Sequence, residues 1–341
     1  MKSFYELSKK ELEDYFVASG KKKFLATQVF EWVYKKKVFN PDMFLNMSLE
    51  NREYIKNEFS FNLLNIKKIE EDKDVSKFLF LLNDNEYIEA VLMKHSYGLS
   101  VCVSSQVGCN MGCKFCESGK LKKVRNLSTY EMISQILIIE NHIDSKINSI
   151  VVMGIGEPFD NYDNVMKFLS ICNDPKGLEI GARHMTVSTC GLVPKIIEFS
   201  DYPLQVNLAL SLHAPNNEIR NSLMPINKVY DINKVIDALK LYLEKTKRRV
   251  TIEYILLKGV NDTVKCAHEL AKLLNGLNVY INLIYYNDTS GDFSASSEEE
   301  AKKFYNILKL NNMDVTIRKK FGTKISAACG QLRSSEVKDE K

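Results

Sequence analysis

The sequence predicts an α/β protein: a mostly parallel sheet wrapped by crossover helices, with a small helical module and a β extension ahead of it. Beyond residue 100, short β-branched runs alternate with helical periods, whereas residues 4 to 59 carry apolar side chains three and four apart. The chain has 341 residues, 45% of them hydrophobic, enough to bury the core of one large domain or two smaller ones.

The helical module rests on LSKKELEDYFVASG, FLATQVFEWVYKKK and SLENREYIKNEF, each with Ser or Thr near a plausible start. From residue 60 the pattern changes. KFLFLLNDNEYIEAVLM is strand-like on both sides of Asn83-Asp84-Asn85, which predicts a hairpin, and VCVSSQ reads as a strand entering a cysteine loop. The later strands are SIVVMG, HMTVST, VNLALSLH, RVTIEYILL, VYINLIYYN and DVTIRKKF. Helices are expected near 128–142, 161–172, 192–199, 231–246, 262–275 and 296–310. Periodicity does not separate an open doubly wound sheet from a closed or partial barrel, but in each the functional residues lie beyond the carboxyl ends of the strands. The organisation expected is a helical domain over 1–60, a β extension over 61–94, a core over 95–333 and a disordered polar tail over 334–341.

No run of about 18 apolar residues occurs, and MKSFYELSKKELEDYF lacks the zones of a secretory signal, so the expected location is the cytoplasm. The net charge of +4 is too small for a nonspecific nucleic-acid coating protein. Basic residues gather locally at Lys21 to Lys23, Lys35 to Lys37, Lys120 to Arg125, Lys245 to Arg249 and Arg318 to Lys320, and solvated surface is the plain interpretation of each run.

The eight cysteines are Cys102, Cys109, Cys113, Cys116, Cys172, Cys190, Cys266 and Cys329. Their spread through a long chain without an export signal favours metal or redox chemistry over a disulfide framework. In CNMGCKFC, Cys109, Cys113 and Cys116 follow a predicted strand, with Gly108 and Gly112 allowing tight backbone around an inorganic cluster. Zinc normally takes four protein ligands, and no second CxxC or His pair completes this set. Three thiolates on a 4Fe-4S cluster leave one iron open to chelate S-adenosylmethionine, the arrangement of a radical S-adenosylmethionine (radical SAM) enzyme.

With CVSSQVGCNMGCKFC, VVMGIGEPFDN, MTVSTCGLVP, LALSLHAPNNEIR, LMPIN and AACGQL in this order, the chain from about Glu89 to Leu332 resembles the RlmN/Cfr family of radical rRNA methyltransferases. The resemblance implies a partial (β/α)6 radical SAM barrel with a helical accessory domain. It also implies that Gly156, Glu157, Ser188, Ser211, Leu212, His213 and Asn287 bind S-adenosylmethionine. Cys329 would carry a methyl group from one S-adenosylmethionine, and a second would generate the radical that activates it. The methylene carbon would then add to an adenine, with Cys102 resolving the adduct as a disulfide and Glu89 accepting the ring proton. Without the resemblance, Glu89 reads as an ordinary exposed strand glutamate, and Cys172, Cys190 and Cys266 as structural or incidental.

The expected substrates are adenosine 2503 of 23S rRNA and adenosine 37 of tRNAs, methylated at C2. A flavodoxin-like electron donor, a thioredoxin-like thiol reductant and a monomeric state are expected with them. The alternatives are C8 methylation of the same rRNA adenosine and a noncatalytic iron-sulfur RNA-binding or redox-sensing protein. Glu117, Ser326 and the missing proline after Asn287 depart from the family pattern around the substrate cavity.

Overall fold

A computed structural model describes residues 1–287 and 293–318. Cys329, Ser326, Asp288, Lys319, Lys320 and the tail expected from residue 334 lie outside the described residues. Three helices, α1 (Lys9–Ala18), α2 (Phe24–Phe30) and α3 (Leu49–Glu58), open the chain as expected. Ser8 and Glu11 form a capping box on α1, and α2 runs on into a π-turn over Glu31–Lys35. The module packs around an aromatic cluster in which Phe4 contacts Tyr5, Phe30, Phe59 and Phe61.

The sheet has ten strands: β1 (Asn65–Asp72), β2 (Val75–Leu81), β3 (Tyr87–His95), β4 (Gly98–Cys102), β5 (Ser149–Val152), β6 (Met185–Thr189), β7 (Asn207–Ser211), β8 (Val250–Leu256), β9 (Val279–Tyr285) and β10 (Val315–Ile317). Each pairs with its neighbour in sequence, so chain order is also spatial order. β1 to β4 are antiparallel, and from β4 to β10 every pairing is parallel. Helices α4 (Thr129–Ile143), α5 (Tyr162–Asn173), α6 (Val193–Phe199), α7 (Asn217–Leu223), α8 (Ile232–Thr246), α9 (Val264–Leu274) and α10 (Glu298–Leu310) supply the crossovers. The result is six strand–helix units followed by β10, a partial barrel continued by an antiparallel extension. Among the described residues no helix is long and apolar enough to cross a membrane.

Alternation along the strands divides the molecule. On β8, Val250, Ile252, Tyr254 and Leu256 are fully buried in the core, whereas Thr251 and Glu253 face the lumen with Ser100, Ser149, Thr186, Asn282 and Thr316. Closed barrels fill this space with branched apolar side chains. A polar lumen instead leaves room for a ligand.

The loop after β4 is pinned from inside. Ser104 donates through Oγ to the Glu89 carbonyl at 2.6 Å and accepts there from the Ile155 N–H at 2.9 Å. Gln135 on α4 takes the Ser104 N–H at 2.9 Å and returns its amide N–H to the Ser104 carbonyl at 3.1 Å. All these groups are buried, so Gln135→Leu strands a backbone donor and a backbone acceptor. The variant is expected to lose about 2 kcal/mol of stability, read as a shifted midpoint in urea denaturation.

Candidate active site

The carboxyl ends of the parallel strands meet at an open-mouthed cavity of about 160 Å³. Cys109, Cys113 and Cys116 line it together with Gly156, Glu157, Ser188, Ser211 and His213, as do Phe115, Cys190, Glu253 and Arg318. Eight of the residues expected at the cluster and cofactor therefore share one space. Leu212 is fully buried and is not among the residues that line the cavity; its N–H donates to the Glu253 carbonyl at 3.1 Å. Asn287, also buried, stands two residues past β9.

The cysteine loop is built by crossing its own return strand. Val124 donates to the Val107 carbonyl at 2.8 Å and Cys109 to the Leu121 carbonyl at 3.1 Å. Gly108 has φ +73, and a Cβ there would stand 2.2 Å from the Lys122 carbonyl oxygen, so only glycine permits the crossing. At Gly156, φ +110, a Cβ would lie 2.6 Å from that of Gln106. The close contact of this glycine, which also lines the cavity, is with the chain's own loop. Gln106 accepts the Glu157 N–H at 2.8 Å and donates to Asn126 and Asp160 at 2.9 Å.

Glu157 is a buried carboxylate with both oxygens engaged, accepting from the N–H groups of Phe159 (3.2 Å) and Cys190 (2.8 Å). Burial raises its proton affinity, and these donors oppose the rise. Ser188 donates to the Val152 carbonyl at 3.1 Å. His213, with φ +56, meets Phe115 edge to face at 4.8 Å, and its Nδ1 accepts the Ile255 N–H at 3.1 Å. Nδ1 being an acceptor, the proton of the neutral ring belongs on Nε2. Burial, helped by the Arg220 charge, pushes the imidazole down to about 3, so it is neutral at physiological pH.

Glu89 and Cys102 stand on adjacent strands, away from the cysteine loop. Cys102 on β4 is opposite Val91 on β3, and Glu89, two residues from Val91, shares its face. The exposed glutamate expected from sequence is instead buried, 3.4 Å from Lys77, which also pairs with Glu70 at 2.8 Å. Cys190, read as incidental, lines the cavity, whereas Cys172 and Cys266 are buried in α5 and α9. Within the basic runs, Lys21, Lys23, Lys35, Lys37, Lys120, Lys123, Arg125, Lys245 and Arg249 are ion-paired to carboxylates. Glu117, one of the family departures, is the buried partner of Lys120 at 2.6 Å.

A profile described as the Radical SAM superfamily matches residues 103–274, and one described as the ribosomal RNA large subunit methyltransferase N-terminal domain matches residues 3–60. Probable dual-specificity RNA methyltransferases RlmN from Spiroplasma citri and Enterococcus faecalis are 51% and 52% identical to the chain. They align over 98% and 99% of it, and over 98% of each relative. The chain belongs to the RlmN family of radical SAM RNA methyltransferases. The crystal structure of a radical SAM methyltransferase from Sphaerobacter thermophilus superposes with a TM-score of 0.92 at 39% identity, covering 98% of this chain and 99% of that one.

Radical SAM chemistry implies a 4Fe-4S cluster and S-adenosylmethionine, and the donor set fits them. The three thiols are free and line one cavity. Burial pushes the Cys109 thiol up to about 12 and raises those of Cys113 and Cys116, so ionising them calls for the compensating positive charge that iron brings. Among the described residues, no three His, Cys, Asp or Glu side chains converge on a point as a single metal ion requires. A cluster takes one thiolate per iron and spreads its ligands wider.

Sequence reasoning missed Arg220, the cation behind the site, although NNEIR lay inside a motif it used. The Arg220 side chain is fully buried and donates to the carbonyls of Leu212 (3.3 Å) and Tyr230 (3.4 Å), to Asn227 Oδ1 (2.8 Å), and to the Cys190 carbonyl.

His213 carries a pH dependence. Its folded-state pKa lies below the ordinary 6.5, so the unfolded chain takes up a proton that the folded chain refuses. Its contribution to stability is whole above pH about 6.5 and is lost progressively as pH falls towards 3. Urea midpoints measured from pH 7 to 4 are expected to fall less steeply for His213→Gln than for the native chain, and equal slopes would contradict the assignment.

Proposed function

We propose that this enzyme methylates C2 of adenosine 2503 in 23S rRNA and of adenosine 37 in tRNAs through a methylated cysteine, consuming two S-adenosylmethionine molecules. The observation that carries the reading is the convergence of Cys109, Cys113 and Cys116 with Gly156, Glu157, Ser188, Ser211 and His213 on one cavity; Cys102 and Glu89 share a face of the sheet on adjacent strands. The relatives from Spiroplasma citri and Enterococcus faecalis are described as dual-specificity RNA methyltransferases, which supports a reading with two RNA substrates.

In this reading Cys109, Cys113 and Cys116 hold the cluster. When bound, the cluster and S-adenosylmethionine supply an organic radical and a methyl group. Glu157 and its backbone donors shape the wall beside the cluster, and the neutral His213 offers its Nε2–H to the cavity. Cys329 carries the methyl carbon on sulfur and presents it to the base. Direct transfer of an electrophilic methyl to an electron-poor ring carbon has the wrong polarity, which is why a carbon radical held on the protein is needed. After addition, the adduct radical gives up one electron, which the cluster would take back, and Glu89 accepts the proton from C2; the Cys102 thiolate then attacks the Cys329 sulfur, breaking its bond to the methylene carbon, which takes up a proton to become the methyl group of the freed base. The enzyme leaves the cycle with a Cys102–Cys329 disulfide, so a flavodoxin-like electron donor and a thioredoxin-like reductant complete the turnover. The protein acts as a monomer, and the adenine must be unstacked to reach Cys329.

Mass spectrometry of digested rRNA and tRNA from cells with and without the protein tests the product: 2-methyladenosine is expected, and 8-methyladenosine in its place would move the reading to the alternative ring position. Cys102→Ala is expected to abolish release and accumulate a protein–RNA adduct that survives denaturation. Methylated Cys329 should appear in peptides of the native enzyme, and full activity with Cys329 unmodified would overturn the route.

A further inference from the structure

Two carboxylates line the cluster cavity, and they differ in what they lack. Glu157 has both oxygens occupied by main-chain donors. Glu253, on β8, is 5% exposed; its Oε1 accepts from Asn282 Nδ2 at 3.1 Å, while its buried Oε2 has no hydrogen-bond partner. A buried acceptor without a donor is costly to maintain, and a ligand hydroxyl or N–H recovers that cost.

The register places this oxygen. Ser211 on β7 is paired with Glu253, and Glu253 with Asn282 on β9, so the three residues stand side by side at one level of the lumen. Glu253 borders both the cluster cavity and the larger polar space beneath it. Two residues further along the same face, Ile255 lines the cluster cavity, as does Ile284 on β9. An apolar wall next to a carboxylate with a vacant lone pair suits a nucleoside, with its base against the isoleucines and its hydroxyls on the carboxylate.

We propose that Glu253, held by Asn282, accepts hydrogen bonds from the ribose hydroxyls of S-adenosylmethionine; this rests on the reading of the cavity as the cofactor site. The methionine end is committed to the cluster at the cysteine loop, so the nucleoside is the part that reaches the level of Ser211. Burial raises the proton affinity of Glu253, opposed by the Arg318 charge and by Asn282; a vicinal diol brings two O–H donors, which the carboxylate accepts in its ionised form. Dinucleotide-binding folds use the same pairing of an acidic side chain with ribose. The adenine amino group is the competing donor, and it is untouched when a ribose hydroxyl is removed.

The test is a thermodynamic cycle on the full-length protein with its cluster reconstituted anaerobically and left unreduced, so that binding is read without turnover. Isothermal titration calorimetry compares S-adenosylmethionine with its 2′-deoxy and 3′-deoxy analogues, in the native protein and in Glu253→Gln. The native protein is expected to bind at least one deoxy analogue about tenfold or more weakly, the loss of a hydrogen bond to a charged acceptor. Glu253→Gln is expected to bind S-adenosylmethionine about tenfold more weakly and to discriminate little between it and that analogue. A deoxy penalty as large in Glu253→Gln as in the native protein overturns the proposal, as does unchanged affinity for S-adenosylmethionine. Native protein that binds no S-adenosylmethionine overturns the cofactor reading itself, a separate outcome. Glu253→Asp, which keeps the charge and withdraws it by one methylene, repeats the cycle if the glutamine variant does not fold, with the same two results deciding.

Discussion

One buried cation organises the mouth of this barrel. Arg220 spends its donors on carbonyls that end two different strands, Leu212 after β7 and Cys190 after β6, and on Asn227 and Tyr230 in the following turn. A guanidinium without water needs all of these partners, and removing one side of such a set typically costs 3–5 kcal/mol. The need works in both directions: the strand ends carry the cavity's side chains, so the geometry that satisfies Arg220 also aims Ser211 and His213. Burial keeps His213 neutral and the Arg220 charge adds to that effect, while at Cys113 the same charge opposes the burial that raises the thiol. A structural cation thereby sets the electrostatics of the site without itself reaching a substrate.

A second constraint is polar and lies under the cysteine loop. Ser104, Gln106 and Asn161 use short side chains to satisfy main-chain groups of the β4 and β5 loops, with Asn161 donating to the Ser105 and Leu127 carbonyls at 2.8 and 2.7 Å. In an apolar interior each of these groups would be costly to leave unpaired. The conformation that presents three cysteines is thus specified from behind, by residues that never face the cavity mouth.

The six strand–helix units were legible because each is long and periodic. SIVVMG and RVTIEYILL, for instance, contain strands at 149–152 and 250–256. The residues to which the family resemblance pointed fall at strand ends, and most of them line one cavity. β1 was not: NIKKIEED is largely exposed and charged, so it has no apolar rhythm and owes its strand form to pairing with β2. α7 is seven residues of mainly polar NEIRNSL, too short for a period to declare itself. The burial of Glu89 and the acceptor left on Glu253 depend on which strands become neighbours, information that no local window contains. The close packing of Gly156 on Gln106 is likewise invisible locally, since only the folded loop brings the two together.

The hydrogen-bonded hairpin of β3 and β4 straddles residue 94, where composition suggests that an extension ends and a core begins. Glu89 and Cys102 consequently stand on paired strands, Cys102 opposite Val91, and their spacing is protected by backbone pairing against any rocking of the helices. A chain trimmed to start at Gly98 would forfeit that protection and expose the whole flank of β4 as a raw edge. Such an edge invites strand exchange between copies, so the oldest-looking part of the barrel is not a portable module. Its solubility is supplied by the hairpin that precedes it.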